Sequence, residues 1–282
     1  MDGPDAPEAA RAVLRRALFG SWAALGWPGA AERRDVAEAV DPETLVTLSC
    51  ALAGDLAELR DALEWWRAAG GVLLNPDRLR RTAALFPSYP GPEPAAVARQ
   101  PRWAGAPSTD VYLRRLGAVA PPALSAPAAV FLRSRAIVGA NVRADACAVL
   151  SLRPDGITVA DVAAMLGYTA AATRPALLYA TLQGWARATP RRERRFHPTD
   201  HLAEALAPAA SSPRVRFTPL GPALVWLARH VLLGPAAAGR APRLPDAPAA
   251  LPRTPGGVAG WVAALLHAPV PARAPGGENR GE

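Results

Sequence analysis

Lysine is missing altogether from these 282 residues, so all 32 basic positions are arginine. Alanine, proline and glycine are abundant beside it, a pattern that points to GC-rich coding bias. The formal charge of +8 and the pI near 10.7 therefore suggest nucleic acid or an anionic surface only through where the arginines lie. Cysteine is nearly absent too. Cys50 and Cys147 stand far apart in apolar helical patterns, which excludes a disulfide framework and a thiolate metal site and predicts two buried free thiols. No apolar run approaches the ~20 residues that span a bilayer. The N-terminus lacks the basic and apolar regions of a secretory leader, so a cytoplasmic protein is expected. There is no GxGxxG, P-loop, HExxH, CxxC or Gly-x-Ser-x-Gly signature, and no internal repeat, so catalysis is not expected and no cofactor is assigned.

What remains is a globular composition, 50% hydrophobic and 20% charged, long enough for one large domain or two to three small ones. A mostly α fold is predicted: a helical domain over 1–120, a second domain over 127–207 with a small β-hairpin, C-terminal helices over 213–267 and a disordered tail over 268–282. Val13, Leu14, Leu18 and Trp22 mark a first amphipathic helix. Asp41-Pro42-Glu43 is a helix start, with an N-cap acid and proline at the first helical position. Leu45, Leu48, Leu52, Leu56, Leu59, Leu63 and Trp66 follow at steps of three and four, one stripe of a helix. Among them Asp55, Glu58, Asp61 and Glu64 form its solvated face. Gly70-Gly71 ends the pattern, and Asn75-Pro76-Asp77 caps a shorter helix. Residues 87–107 look like a linker or a long loop, and Ser108-Thr109-Asp110 caps a short helix to Leu116. From Pro127 a helix with Val130, Phe131, Ile137 and Val138 leads into the centre. Beyond residue 198, Thr199-Asp200 caps a short helix, Pro208 to Pro213 is a break, Leu220–Leu233 is a strongly apolar helix and Val258–Leu266 a last amphipathic one.

The central stretch has an order of its own. Asn141 caps a helix with Val142, Ala146, Val149 and Leu150 inward. Arg153-Pro154-Asp155-Gly156 is a turn, and Ile157 a short strand. Thr158 and Asp161 form a capping box for the helix to Leu166. Gly167-Tyr168-Thr169 is a tight turn into a second helix, about 170–183, which Gly184 ends. Pro175 is tolerable there if that helix starts late, near Thr173. Trp185–Thr189 and Arg194–His197 alternate as a hairpin. Between 187 and 195 stand five arginines and one glutamate, a basic edge suited to phosphates. His197, Asp200 and His201 lack a nearby thiolate and Pro198 interrupts their spacing, so no metal is assigned.

These residues resemble winged helix-turn-helix regulators of the ArsR/MarR-like kind over about 60 residues. The resemblance is carried by Ile157–Ala163, Gly167-Tyr168-Thr169, Gly184-Trp185 and Arg194-Arg195-Phe196. More loosely, the whole chain is similar to uncharacterised helix-turn-helix proteins of high-GC bacteria, through Asp41-Pro42-Glu43 and Phe131–Gly139. The resemblance implies a transcriptional regulator that binds double-stranded DNA, with helix 170–184 in the major groove and the 187–195 hairpin as wing. The expected contacts are Tyr168, Thr169, Thr173, Arg174, Arg187, Arg191, Arg192, Arg194 and Arg195. Ala170, Ala171 and Ala172 make base readout thin. A homodimer would set half-site spacing, and no effector is assigned. The alternative is a protein-interaction module, antitoxin-like or a scaffold, whose winged helix meets a partner protein.

Overall fold

The computed structural model describes residues 6–29, 39–86, 92–98, 121–190, 194–207, 220–234, 238 and 255–267. The helix expected at 108–116, the Pro208–Pro213 break and the tail from 268 lie outside them. The described chain is mostly helical, with one small antiparallel sheet. Helix α1 spans Ala6–Ala24, α2 Pro42–Leu52, α3 Glu58–Ala69, α4 Pro76–Ala83 and α5 Pro94–Ala98. Then come α6 (Val130–Val138), α7 (Val142–Ser151), β1 (Ile157–Thr158), α8 (Val159–Leu166) and α9 (Ala170–Leu182). The hairpin β2 (Ala186–Ala188) and β3 (Arg195–Pro198) precedes α10 (Asp200–Ala205), α11 (Leu220–Leu233) and α12 (Pro255–His267).

Local chemistry fixes six of the twelve described helix starts. Asp41 accepts from the Thr44 amide, Asn75 from Asp77 and Arg78, Asn141 from Arg143 and Ala144, Thr169 from Ala172, and Thr199 from Leu202. Thr158 and Asp161 complete a reciprocal capping box. Each satisfies an amide that helix geometry leaves without a partner. The expected leucine stripe is real but belongs to two helices. The chain turns at 53–57, where Arg60 Nε donates to the Ala53 carbonyl at 3.1 Å, and α3 folds back onto α2. All of the stripe except half-buried Leu56 is buried. The physical reason is three-sided burial: every residue of α2 is buried, so a straight extension would have left its other faces wet. The expected linker contains α5, whose Val97 packs on the same core.

Two apolar clusters result. The first joins α1, α2, α3 and α4 with α11 and α12, through residues such as Leu14, Trp22, Trp66, Leu79, Leu227 and Val262. Trp22 lies against Trp66 with centroids 5.6 Å apart, and its indole N–H donates to Ser49 Oγ at 2.9 Å, as a buried tryptophan requires. The described C-terminal helices α11 and α12 join the core of α1, because their apolar faces and that of α1 cover one another. The second cluster holds Phe131, Cys147, Val149, Ile157, Val162, Leu166, Leu177, Phe196 and Leu202. Its sheet has the order β1-β3-β2, with Ile157 opposite Phe196 and Arg187 opposite His197. Both cysteines are free and buried, and burial pushes each thiol up to about 12. No helix among the described residues is long and apolar enough to cross a membrane.

Candidate nucleic-acid interface

Helix α9 lies between α7 and the hairpin. Thr169 caps it, the αL glycine Gly167 (φ 66°) turns the chain into it, and Gly184 (φ 71°) turns it out again. It begins at Ala170, not near Thr173, so Pro175 sits in its interior. Burying Ala176, Leu177 and Ala180 against α7 outweighs the hydrogen bond that the proline cannot donate. The opposite face carries Ala170, Ala171, Arg174, Pro175, Leu178 and Leu182, all exposed. Leu178 is 39% and Leu182 84% exposed, so this face holds one charge among apolar groups.

The expected contact residues divide in two. Thr169, Arg174, Arg187, Arg194 and Arg195 are exposed. Arg195 also donates to the Gly156 carbonyl at 3.3 Å, which ties the hairpin to the turn before β1. Arg191 and Arg192 lie outside the described residues. Thr173 is a correction: it is fully buried and its hydroxyl donates to the Thr169 carbonyl at 3.0 Å, because the earlier helix start rotates it onto the inner face. Tyr168 is a second correction. It is half-buried, its hydroxyl donates to Asp145 Oδ2 at 2.6 Å and accepts from Asn75 Nδ2 at 2.8 Å. The Arg81 guanidinium covers its ring, 4.6 Å from the centroid. Both side chains are thus occupied within the protein.

Two arginines were missed. Arg143 is exposed in the first turn of α7, with its guanidinium 4.9 Å from the centroid of Tyr179. An arginine there opposes the helix dipole, and that misfit is the signal that could have found it. Arg81, on α4, had no local signal at all.

Behind this surface lies a buried ionic cluster. Glu43 accepts from Arg135 Nη1 and Nη2 at 2.6 and 2.7 Å, from Arg78 Nη1 at 3.0 Å and from the Asn75 amide at 2.7 Å. Asp145 accepts from Arg135 Nε at 2.8 Å, and Arg78 also pairs with Asp41 and donates to the Leu166 carbonyl at 3.2 Å. The side chains of Arg135, Glu43 and Asp145 are 0% exposed. Burial alone would push the Asp145 carboxyl up, but Arg135 and Arg78, with hydrogen bonds from Arg135 and Tyr168, hold it below the usual range. The cluster joins α2 and α4 to α6, α7 and the turn before α9. The two distant sequence segments Asp41-Pro42-Glu43 and Phe131–Gly139 thus meet through Glu43 and Arg135. Its polar groups are satisfied by one another, which suits a structural joint better than a ligand site.

No protein-family model, curated protein or solved structure matches this chain. Its chemistry must be argued from the arrangement itself. Among the described residues, no three His, Cys, Asp or Glu side chains group as a metal ion would need. The surface of α9 and the hairpin offers exposed guanidinium groups, which bind by charge and hydrogen bonding.

Proposed function

We propose that residues 142–198 form a winged helix-turn-helix that binds duplex DNA, and that the protein regulates transcription through it. The observation that carries the reading is the exposed arginines of β2 and β3 beside a capped, solvent-facing helix. The order helix, strand, helix, turn, helix, hairpin, with sheet order β1-β3-β2, supports it. Helix α9 approaches the major groove, and Arg187, Arg194 and Arg195, with Arg191 and Arg192, hold phosphates. With Tyr168 and Thr173 engaged internally, base contact falls to Thr169, Arg174 and the alanine methyls. Sequence discrimination is then modest, and affinity comes mainly from phosphates and groove shape.

The test is fluorescence anisotropy with mixed-sequence duplex at several salt concentrations. Wild type should bind with a steep salt dependence. A variant with Arg191, Arg192, Arg194 and Arg195 changed to Ala should lose about 0.9 of slope per phosphate contact removed. No binding at low salt, or equal binding by the folded variant, overturns the reading.

One observation favours a second reading, a protein-interaction module. The outer face of α9 exposes Leu178 and Leu182, which a groove lined with phosphates does not reward. Leu178→Glu/Leu182→Glu should abolish a protein complex built on this face.

A further inference from the structure

We infer that α4 controls helix α9: the N-terminal helical unit sets where α9 points by gripping the three residues before its cap. The ligand of α9 in this inference rests on the duplex-binding reading, whereas the grip does not.

Leu166, Gly167 and Tyr168 are each held from α4 or its cap. The Leu166 carbonyl accepts from Arg78 Nε at 3.2 Å, and the Gly167 carbonyl from Arg81 Nη1 at 2.9 Å. The Tyr168 hydroxyl accepts from Asn75 at 2.8 Å, under the Arg81 guanidinium. Carbonyls at a helix C-terminus have no partner within the helix. Here the αL turn at Gly167 satisfies only Ala163, through the Gly167 and Tyr168 amides. The Leu166 and Gly167 carbonyls take theirs from a helix more than eighty positions earlier. Thr169, the next residue, is the cap of α9. No free residue separates the gripped turn from the helix, so a shift of α4 passes directly into the direction of α9.

The grip has a fixed base. Arg78 is anchored on Glu43 and Asp41, and Tyr168 on Asp145. Asn75 is buried and cannot touch a groove, yet it bonds the turn. It is a positioning residue. A ligand or partner that moved α4 would be read out at α9.

Asn75→Ser keeps a capping oxygen for α4 and removes the amide donor, without change of charge. Tyr168→Phe removes the same link from the other side, together with the hydroxyl's bond to Asp145. Two measurements on the full chain decide the matter: amide hydrogen exchange over 166–173 in the free protein, and duplex affinity against salt. Loss of one hydrogen bond in Asn75→Ser should speed exchange at the turn about fivefold, and Tyr168→Phe, which loses two, should speed it at least as much. Affinity should fall severalfold while the salt slope stays at the wild-type value, because no phosphate contact has gone. A merely structural role would lower the melting temperature and leave the affinity of the folded protein intact, which overturns the inference. So does unchanged exchange in both variants. If wild type binds no duplex, the DNA reading fails by itself. Exchange then still decides: acceleration that spreads from the turn into the first turn of α9 supports control of the helix, and its absence overturns it.

Discussion

Changing Arg135 to Met tests the buried cluster most severely. The native guanidinium serves Glu43 twice, Asp145 once and the Leu73 carbonyl. Without it, Asp41 and Glu43 keep Arg78, while Asp145 keeps the Tyr168 hydrogen bond and the nearby charge of Arg78. Removing one partner of a buried pair costs about 3–5 kcal/mol, because a charge is left behind without compensation. Native stabilities are only about 5–15 kcal/mol, so the variant should be crippled but measurable. The midpoint of melting should fall by roughly 6–20 °C at the usual 2–4 °C per kcal/mol. The pH dependence should reverse in sign. In the native protein the Asp145 carboxyl is held low; the unfolded chain then binds more protons as pH falls below ~4, and stability is lost there. In the variant the Asp145 carboxyl loses the guanidinium that offsets its burial, the folded state binds the extra proton, and stability should return as pH falls from 7.5 to 5.5. Each unit of raised pKa is equivalent to about 1.4 kcal/mol. Urea unfolding at both pH values, followed by tryptophan fluorescence and circular dichroism, measures this. A loss below about 1 kcal/mol at pH 7.5, or no recovery at pH 5.5, would refute the reasoning.

Other expectations concern the backbone around α9. Pro175→Ala should stabilise by about 2 kcal/mol, since an interior helix proline costs ~3 and the more flexible unfolded chain takes back up to ~1; a destabilised variant in urea contradicts an interior strain. Gly167→Ala meets open space at a φ of 66°, so only the left-handed backbone is penalised, by about 1 kcal/mol. Gly156→Ala should cost more, because its Cβ would lie 2.5 Å from His197 Cε1 at a φ of 81°. Equal costs in thermal melts would show that the His197 ring moves aside freely.

Sequence reasoning succeeded where the deciding partners lie within a few positions. A cap needs an oxygen at one residue and amides two or three later, so Asp41, Asn75, Asn141, Thr158 and Thr199 were all legible. The leucine stripe preserved its phase across 53–57, so periodicity could not reveal that α3 folds back on α2. The fate of Tyr168 was hidden for a different reason: its partners Asp145 and Asn75 stand 23 and 93 positions away. Glu43 and Arg135 are 92 positions apart. Each looked like an ordinary charged residue in a helix, and nothing local distinguishes a solvated charge from one end of a buried pair.

Helix α1 and the α11–α12 pair flank the sheet-bearing unit in sequence yet share one core. That unit is therefore an insertion, entered and left by two crossings of the chain, and not a bead on a single string. It is held by two connections instead of one tether, and the ionic cluster joins it to α2 and α4. A single proteolytic cut between β2 and β3 would leave the outer helices gripping one another, so a nicked molecule should migrate as one species under native conditions and as two fragments once denatured.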